Sequence, residues 1–187
     1  MPVPTPTLGV GSIPTTLDII GEALRTLLVT AGVAPSPAAV IFSRKSQPFP
    51  ACGYPQVVIA RTSFSPVADW FEGGGRRISA KQGTITLTIN TLMARDQAEQ
   101  DRYRLNGILD VIPVVPGLEK MAHIVADALH GNFLTDATGH LLTVEPVHLV
   151  SDASPEDYGE TNPGWEGITL GFRLMYLPYY LITADSP

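Results

Sequence analysis

Across residues 83–90 apolar and polar side chains alternate strictly. Ile85, Leu87 and Ile89 take one side, and Thr84, Thr86, Thr88 and Asn90 take the other. That period of two predicts a strand with one buried face. A few residues on, the period lengthens. Ala98, Leu105, Ile108, Leu109 and Ile112 recur at helical intervals behind a charged first turn, and Asp96 with Glu99 supplies a capping box, so a helix is expected over 96–112. Two elements with one apolar face each bury both only when the helix folds back onto the sheet. Residues 83–112 therefore predict the nucleus of a two-layer domain. No residue in them looks catalytic.

The same patterns continue on either side. Residues 1–14, MPVPTPTLGVGSIP, are rich in Pro, Thr and Gly without periodicity, and read as an extended or flexible arm. Residues 15–187 read as one domain. Thr15 and Asp18 open a first helix whose stripe is Leu17, Ile20, Leu24, Leu27, Leu28 and Ala31, with Gly32 as its stop. A Pro-punctuated connection follows over 35–55, in which Val40–Phe42 can pair briefly as an edge strand. Residues 56–63 are the next strand. Residues 64–77, FSPVADWFEGGGRR, then read as a long glycine-rich loop closing an antiparallel hairpin onto the 83–90 strand. That loop carries Trp70, Phe71, Arg76 and Arg77, residue types over-represented at binding hot spots. Two readings are open for it, a contact surface or a loop tip tucked over the sheet.

Beyond the 96–112 helix, Pro113, Pro116 and Gly117 break the chain. A third helix should bury Leu118, Met121, Val125, Ala128 and Leu129 and end near Gly131. Residues 141–150 read as a strand whose Pro146 favours an edge. Residues 151–164 read as an acidic loop with Asp152, Glu156, Asp157 and Glu160. In the last element Ile168, Leu170, Phe172, Leu174 and Tyr176 share a face, and its hydrophobicity places it centrally. The expected fold is α+β: a mainly antiparallel or mixed sheet of four to five strands with about three helices on one face.

Charge narrows the function. Among 187 residues, 12 Lys and Arg stand against 18 Asp and Glu, a formal net charge of −6. Tight binding to a nucleic-acid backbone needs a basic face, so such a role is disfavoured. Charged residues make up 16% of the chain, below the roughly 25% usual for soluble domains, which suits a surface that meets other subunits and is compatible with a plain monomer as well. Cys52 is the sole cysteine, which excludes an intrachain disulfide and a cysteine-rich zinc site. With no secretory signal and no apolar run of membrane-spanning length, the chain is expected to be soluble and to fold in a cytoplasm.

Candidate chemistry is thin. Glu119, His123, Asp127 and His130 line one face of the third helix at spacings that suit a divalent metal, but that face is opposite the apolar stripe and lacks an HExxH pattern. It reads as a solvated face. Gly73, Gly74 and Gly75 before Arg76 and Arg77 lead into a strand, whereas a phosphate-cradling loop opens a helix. Cys52 has no evident activating neighbour. Ser12, Ser43 and Ser65 lack a nucleophile-elbow context. The carboxylates around Asp157 follow no EF-hand spacing, and Arg44 with Lys45 reads as a solvated basic spot. No catalytic residue, cofactor or metal is expected, and the chain reads as a non-enzymatic assembly protein.

The order of elements resembles the tail terminator (tail completion, head–tail joining) proteins of tailed bacteriophages. The likeness is carried by the opening TTLDIIGEALRTLLVTAG, the strand-to-helix unit TITLTINTLMARDQAEQDRYRLNGILDVI and the closing WEGITLGFRLMYL. It implies a sheet with helices on one side and a hexameric ring that caps the tail tube and joins it to the head connector. It also implies residence in the neck of a virion, with DNA passing through the lumen without specific binding. Net acidity would repel that DNA, and a closed ring needs heterologous contacts. Trp70, Phe71, Arg76, Arg77, Thr84, Thr86 and Thr88 are the expected assembly contacts, with the threonine side facing a neighbour or the lumen. The alternatives are another neck, tube or baseplate component, or a small enzyme or ligand-binding domain with an unrecognised site.

Overall fold

The computed structural model describes residues 16–43, 48–49, 54–61, 64–71, 77–92, 117–152, 156–158, 161 and 164–178. The arm expected over 1–14 and the helix expected over 96–112 lie outside them. Helix α1 spans Thr16–Thr30 and α2 spans Leu118–Leu129. The strands are β1 (Val40–Phe42), β2 (Gln56–Arg61), β3 (Ser65–Phe71), β4 (Arg77–Leu92), β5 (His148–Asp152), β6 (Glu156–Asp157) and β7 (Trp165–Tyr176).

Both helices end for reasons written in their sequence. At α1, Gly32 takes φ +73°, which lets its N–H reach Val29 O at 3.0 Å and the Val33 N–H reach Leu28 O at 3.0 Å. That pair is the Schellman arrangement, which needs a residue free to enter the left-handed region. At α2 the Asn132 side-chain amide donates to the carbonyls of Asp127 and Ala128 at 3.3 and 3.2 Å, covering the last turn.

The strands form one mixed sheet. Its main order is β1-β2-β4-β7-β5, with β3 also on β4 and β6 also on β7, seven strands in all. β1 runs parallel to β2, and every other pairing is antiparallel. β4 and β7 are the spine, in register from Lys81↔Tyr176 to Leu92↔Trp165. The expected face of β7 is the buried one: Ile168, Leu170, Phe172, Leu174 and Tyr176 join Ile85, Leu87 and Ile89 of β4 in one core. Ile20, Leu24 and Leu28 of α1 and Met121, Val125 and Leu129 of α2 close that core, so both described helices pack on the same side of the sheet.

Three expectations need correction. Residues 64–77 are not one long loop, since 65–71 are strand β3. Pro66 is tolerated there because, among the described residues, β3 has a neighbour on one side only and shifts register between Pro66 and Ala68. The strand expected over 141–150 begins at His148. Before it, Leu142 N–H bonds Leu134 O at 2.8 Å and Thr135 bridges Leu141, so this chain turns back on itself ahead of Pro146. The acidic stretch 151–164 is not wholly loop, because it carries the end of β5 and all of β6. These added strands take the sheet beyond the expected four or five.

Candidate assembly surface

β4 is long enough to serve two partners along one edge. Its residues 85–90 pair with β2, and its residues 77–82 pair with β3. On its other edge β7 stops at Tyr176, opposite Lys81, and Pro178 follows with no N–H to give a ladder. Residues 77–80 therefore have β3 as their sole strand partner among the described residues. β3 and the start of β4 form a two-stranded ribbon that continues past the end of β7. Its far end is set by the pairs Trp70↔Ile78 and Phe71↔Arg77. Three of the four expected loop contacts, Trp70, Phe71 and Arg77, thus share that end of the ribbon. Arg76 lies outside the described residues.

The polar side of β4 divides in two. Thr84 and Thr86 are half-buried, with the Thr86 hydroxyl 3.4 Å from Ala60 O. Thr88 and Asn90 are buried inside the chain, at 1% and 0% exposure. The Thr88 hydroxyl shares a hydrogen bond with Thr169 of β7 at 2.9 Å. Thr88 therefore has no surface to offer a neighbour, whereas Thr84 and Thr86 keep some. Beside them Gln56 of β2 is fully buried. Its amide accepts the Phe49 N–H at 2.6 Å and donates to Phe49 O at 3.1 Å, tying the Pro-rich connection to the sheet. A face expected to look outward is, at its centre, part of the interior.

Tyr158, just after β6, makes the other tie. Its hydroxyl donates to Asn90 Oδ1 at 2.7 Å. The contact is possible because Gly167 stands opposite Asn90 on β7, and a Cβ there would run into the Tyr158 hydroxyl. Gly171, four residues further along and on the same side, likewise leaves room for Ser151. Burial, helped by the nearby Glu156 carboxylate, pushes the Tyr158 phenol up to about 12. The acidic segment is thereby docked on the spine of the sheet through a neutral phenol.

The polar row on α2 does not gather into a site. His123 and Asp127 are exposed, and among the described residues no three His, Cys, Asp or Glu side chains come close enough to hold a metal. His130 is engaged differently: its Nδ1 accepts the Leu149 N–H at 3.1 Å. A neutral ring that accepts at Nδ1 carries its proton on Nε2, which leaves no lone pair there for a metal. Its ring stands edge-on to His148 at 6.2 Å. In the turn before Leu141, Asp136 Oδ1 accepts from the Thr138 hydroxyl at 2.7 Å and from the His140 N–H at 2.9 Å, which shapes the turn. Cys52, Arg44, Lys45, the three glycines 73–75, Ser12 and Glu160 lie outside the described residues.

Sequence reasoning missed Tyr158 and Gln56, and it placed His130 on the polar row of α2 without its bond to the Leu149 N–H. For Tyr158 a signal existed: Gly167 and Gly171 both fall on the side of β7 away from the core, where glycine marks a close approach. Also missed were Phe133, Leu141 and Val150, large apolar residues that are exposed, Val150 within β5 itself. No helix among the described residues is long and apolar enough to cross a membrane.

No protein-family profile matches the chain, and no curated protein does. Among solved structures, a chain from the virion of a native gene transfer agent particle is similar over 85% of this chain and 92% of its own. The identity is 16% and the TM-score 0.43.

Proposed function

We propose that this protein is a non-enzymatic virion component, a tail terminator whose copies close into a ring that caps the tail tube and joins it to the head connector. One observation carries the reading: the ribbon of β3 and the start of β4 continues past β7. An isolated two-stranded ribbon is marginal in water. It gains stability when a neighbour packs on it. A ribbon at one end of a subunit meeting a different patch on the next makes a heterologous contact, the kind that closes rings. Trp70, Phe71 and Arg77 hold the positions such a contact would use, with Thr84 and Thr86 further along the same strand. The order of elements noted in the sequence supports the same assignment, with a sixfold ring, tail tube and neck proteins as partners and DNA passing without specific binding.

Native mass determination with negative-stain imaging tests the ring. A sixfold particle with a central hole is expected, and a monomer across the micromolar range would refute it. Capping of isolated tail tubes in vitro then tests the terminator role itself. Trp70→Ala combined with Arg77→Ala should shift the ring towards monomer, and unchanged assembly would remove the ribbon from the interface.

A further inference from the structure

The outer edge of β5 is closed by an unusual acceptor. Where α2 ends, two backbone hydrogen bonds join the chain to the approach to β5: Gly131 N–H to Val147 O and Val147 N–H to Asn132 O, both 2.8 Å. Two residues on, the next N–H to take an outside partner is that of Leu149. Its partner is an imidazole, His130 Nδ1, at 3.1 Å. On its inner edge β5 is paired with β7, His148 to Arg173 and Leu149 to Phe172. One titratable ring thus stands where a backbone carbonyl would ordinarily continue the ladder.

We infer that His130 is a pH-sensitive cap on the outer edge of β5, closed when the ring is neutral and released when it is protonated. The chemistry follows from the donor count. A neutral imidazole has one acceptor nitrogen, and here it faces the Leu149 N–H. The imidazolium has two N–H donors and no acceptor. Protonation sets a donor against a donor, so the ring must leave and the Leu149 N–H loses its partner. An imidazole ordinarily changes charge between pH 5 and 8.

The surroundings allow both states. His130 is exposed, so the cation can be solvated as the ring swings out. It is the C-cap of α2, with Asp127 on the preceding turn. His148 stands edge-on at 6.2 Å, and Glu145 lies on the segment leading into β5. Release leaves a backbone donor open on an edge strand, next to exposed Val150. That is the feature by which another strand adds to a sheet.

Amide hydrogen exchange at single-residue resolution tests this on the whole chain. At pH 7.5 the Leu149 amide should be protected. At pH 5.0, after correction for intrinsic exchange, its protection should fall at least tenfold while that of Val147, whose acceptor is a backbone carbonyl, holds. In His130→Gln, whose side-chain oxygen accepts at both pH values, Leu149 should stay protected at pH 5.0. In His148→Gln the fall should persist. Equal protection of Leu149 at the two pH values would overturn the inference. So would an equal fall in His130→Gln, an equal fall at Val147, or loss of the effect in His148→Gln.

Discussion

Gly167→Ala is the sharpest probe of how the acidic segment is held. A methyl group at that position would stand 2.5 Å from Asn90 Oδ1 and closer still to the Tyr158 hydroxyl, inside any real carbon–oxygen contact. The phenol must therefore leave Asn90, or β7 must shift against β4. Losing the 2.7 Å hydrogen bond costs about 0.5–1.5 kcal/mol. Crowding a packed site costs about 1–3 kcal/mol. Against these, alanine restricts the unfolded chain more than glycine and returns about 0.4–1 kcal/mol. The net expectation is a destabilisation of roughly 1–3 kcal/mol, which for a chain of this size lowers the midpoint of thermal unfolding by roughly 3–10 °C.

Urea and thermal unfolding of the purified protein measure it, and a double-mutant cycle with Tyr158→Phe separates the mechanism. Tyr158→Phe alone should cost about 1 kcal/mol, the value of the bond. In that background the hydroxyl is gone, so Gly167→Ala should cost about 1 kcal/mol less than in the wild type. A Gly167→Ala protein within about 0.5 kcal/mol of wild type would refute the argument, because surface substitutions already reach that range. So would strict additivity in the cycle.

Other outcomes follow from the same structure. The Tyr158 phenol is held neutral up to about pH 12 in the fold, against an ordinary value of 10, so its contribution is full below pH 10 and is lost as pH rises through 12. The thermal midpoint should fall more steeply over that window in wild type than in Tyr158→Phe, and parallel curves would contradict it. Gly83→Ala would place a Cβ 2.5–2.8 Å from three carbons of the Phe64 ring, which packs edge-on against Tyr176 at 5.2 Å. A loss of about 1–3 kcal/mol in urea unfolding is expected. Phe172→Ala empties the centre of the core, where Phe172 is fully buried, and should cost about 3–5 kcal/mol by the same assay.

What could be read from the sequence was whatever repeats with a period. The stripe of α1, the buried residues of α2 and the alternation in β4 and β7 all report burial on one face, and burial is what periodicity measures. Gly32 and Gly131 were legible as stops because only a left-handed turn explains a glycine there, and both have positive φ. β3 was not legible. Its composition, with Pro66 and Asp69, argues against a strand, and its pairing depends on β4 starting at Arg77, eight residues upstream of Ile85, where the apolar alternation begins. Thr88 and Asn90 were misread for a related reason. Alternation shows which side a residue occupies, but a polar side becomes interior when partners such as Thr169 and Tyr158 arrive from far along the chain. His130 was visible as a histidine on a polar row, and nothing in spacing could show that a backbone N–H would meet it.

The pairing of β4 with β7 also sets a timetable for synthesis. β2, β3 and β4 are contiguous in the chain and can pair as soon as they leave the ribosome. The other edge of β4 waits for residues 165–176, and Thr88 meets Thr169 across 81 positions. At about 5–20 residues per second, that edge stays open for roughly 4–17 seconds. During this interval the nascent chain presents a long open strand edge with Ile85, Leu87 and Ile89 uncovered, the sort of surface that chaperones bind and that neighbouring nascent chains on a polysome can capture.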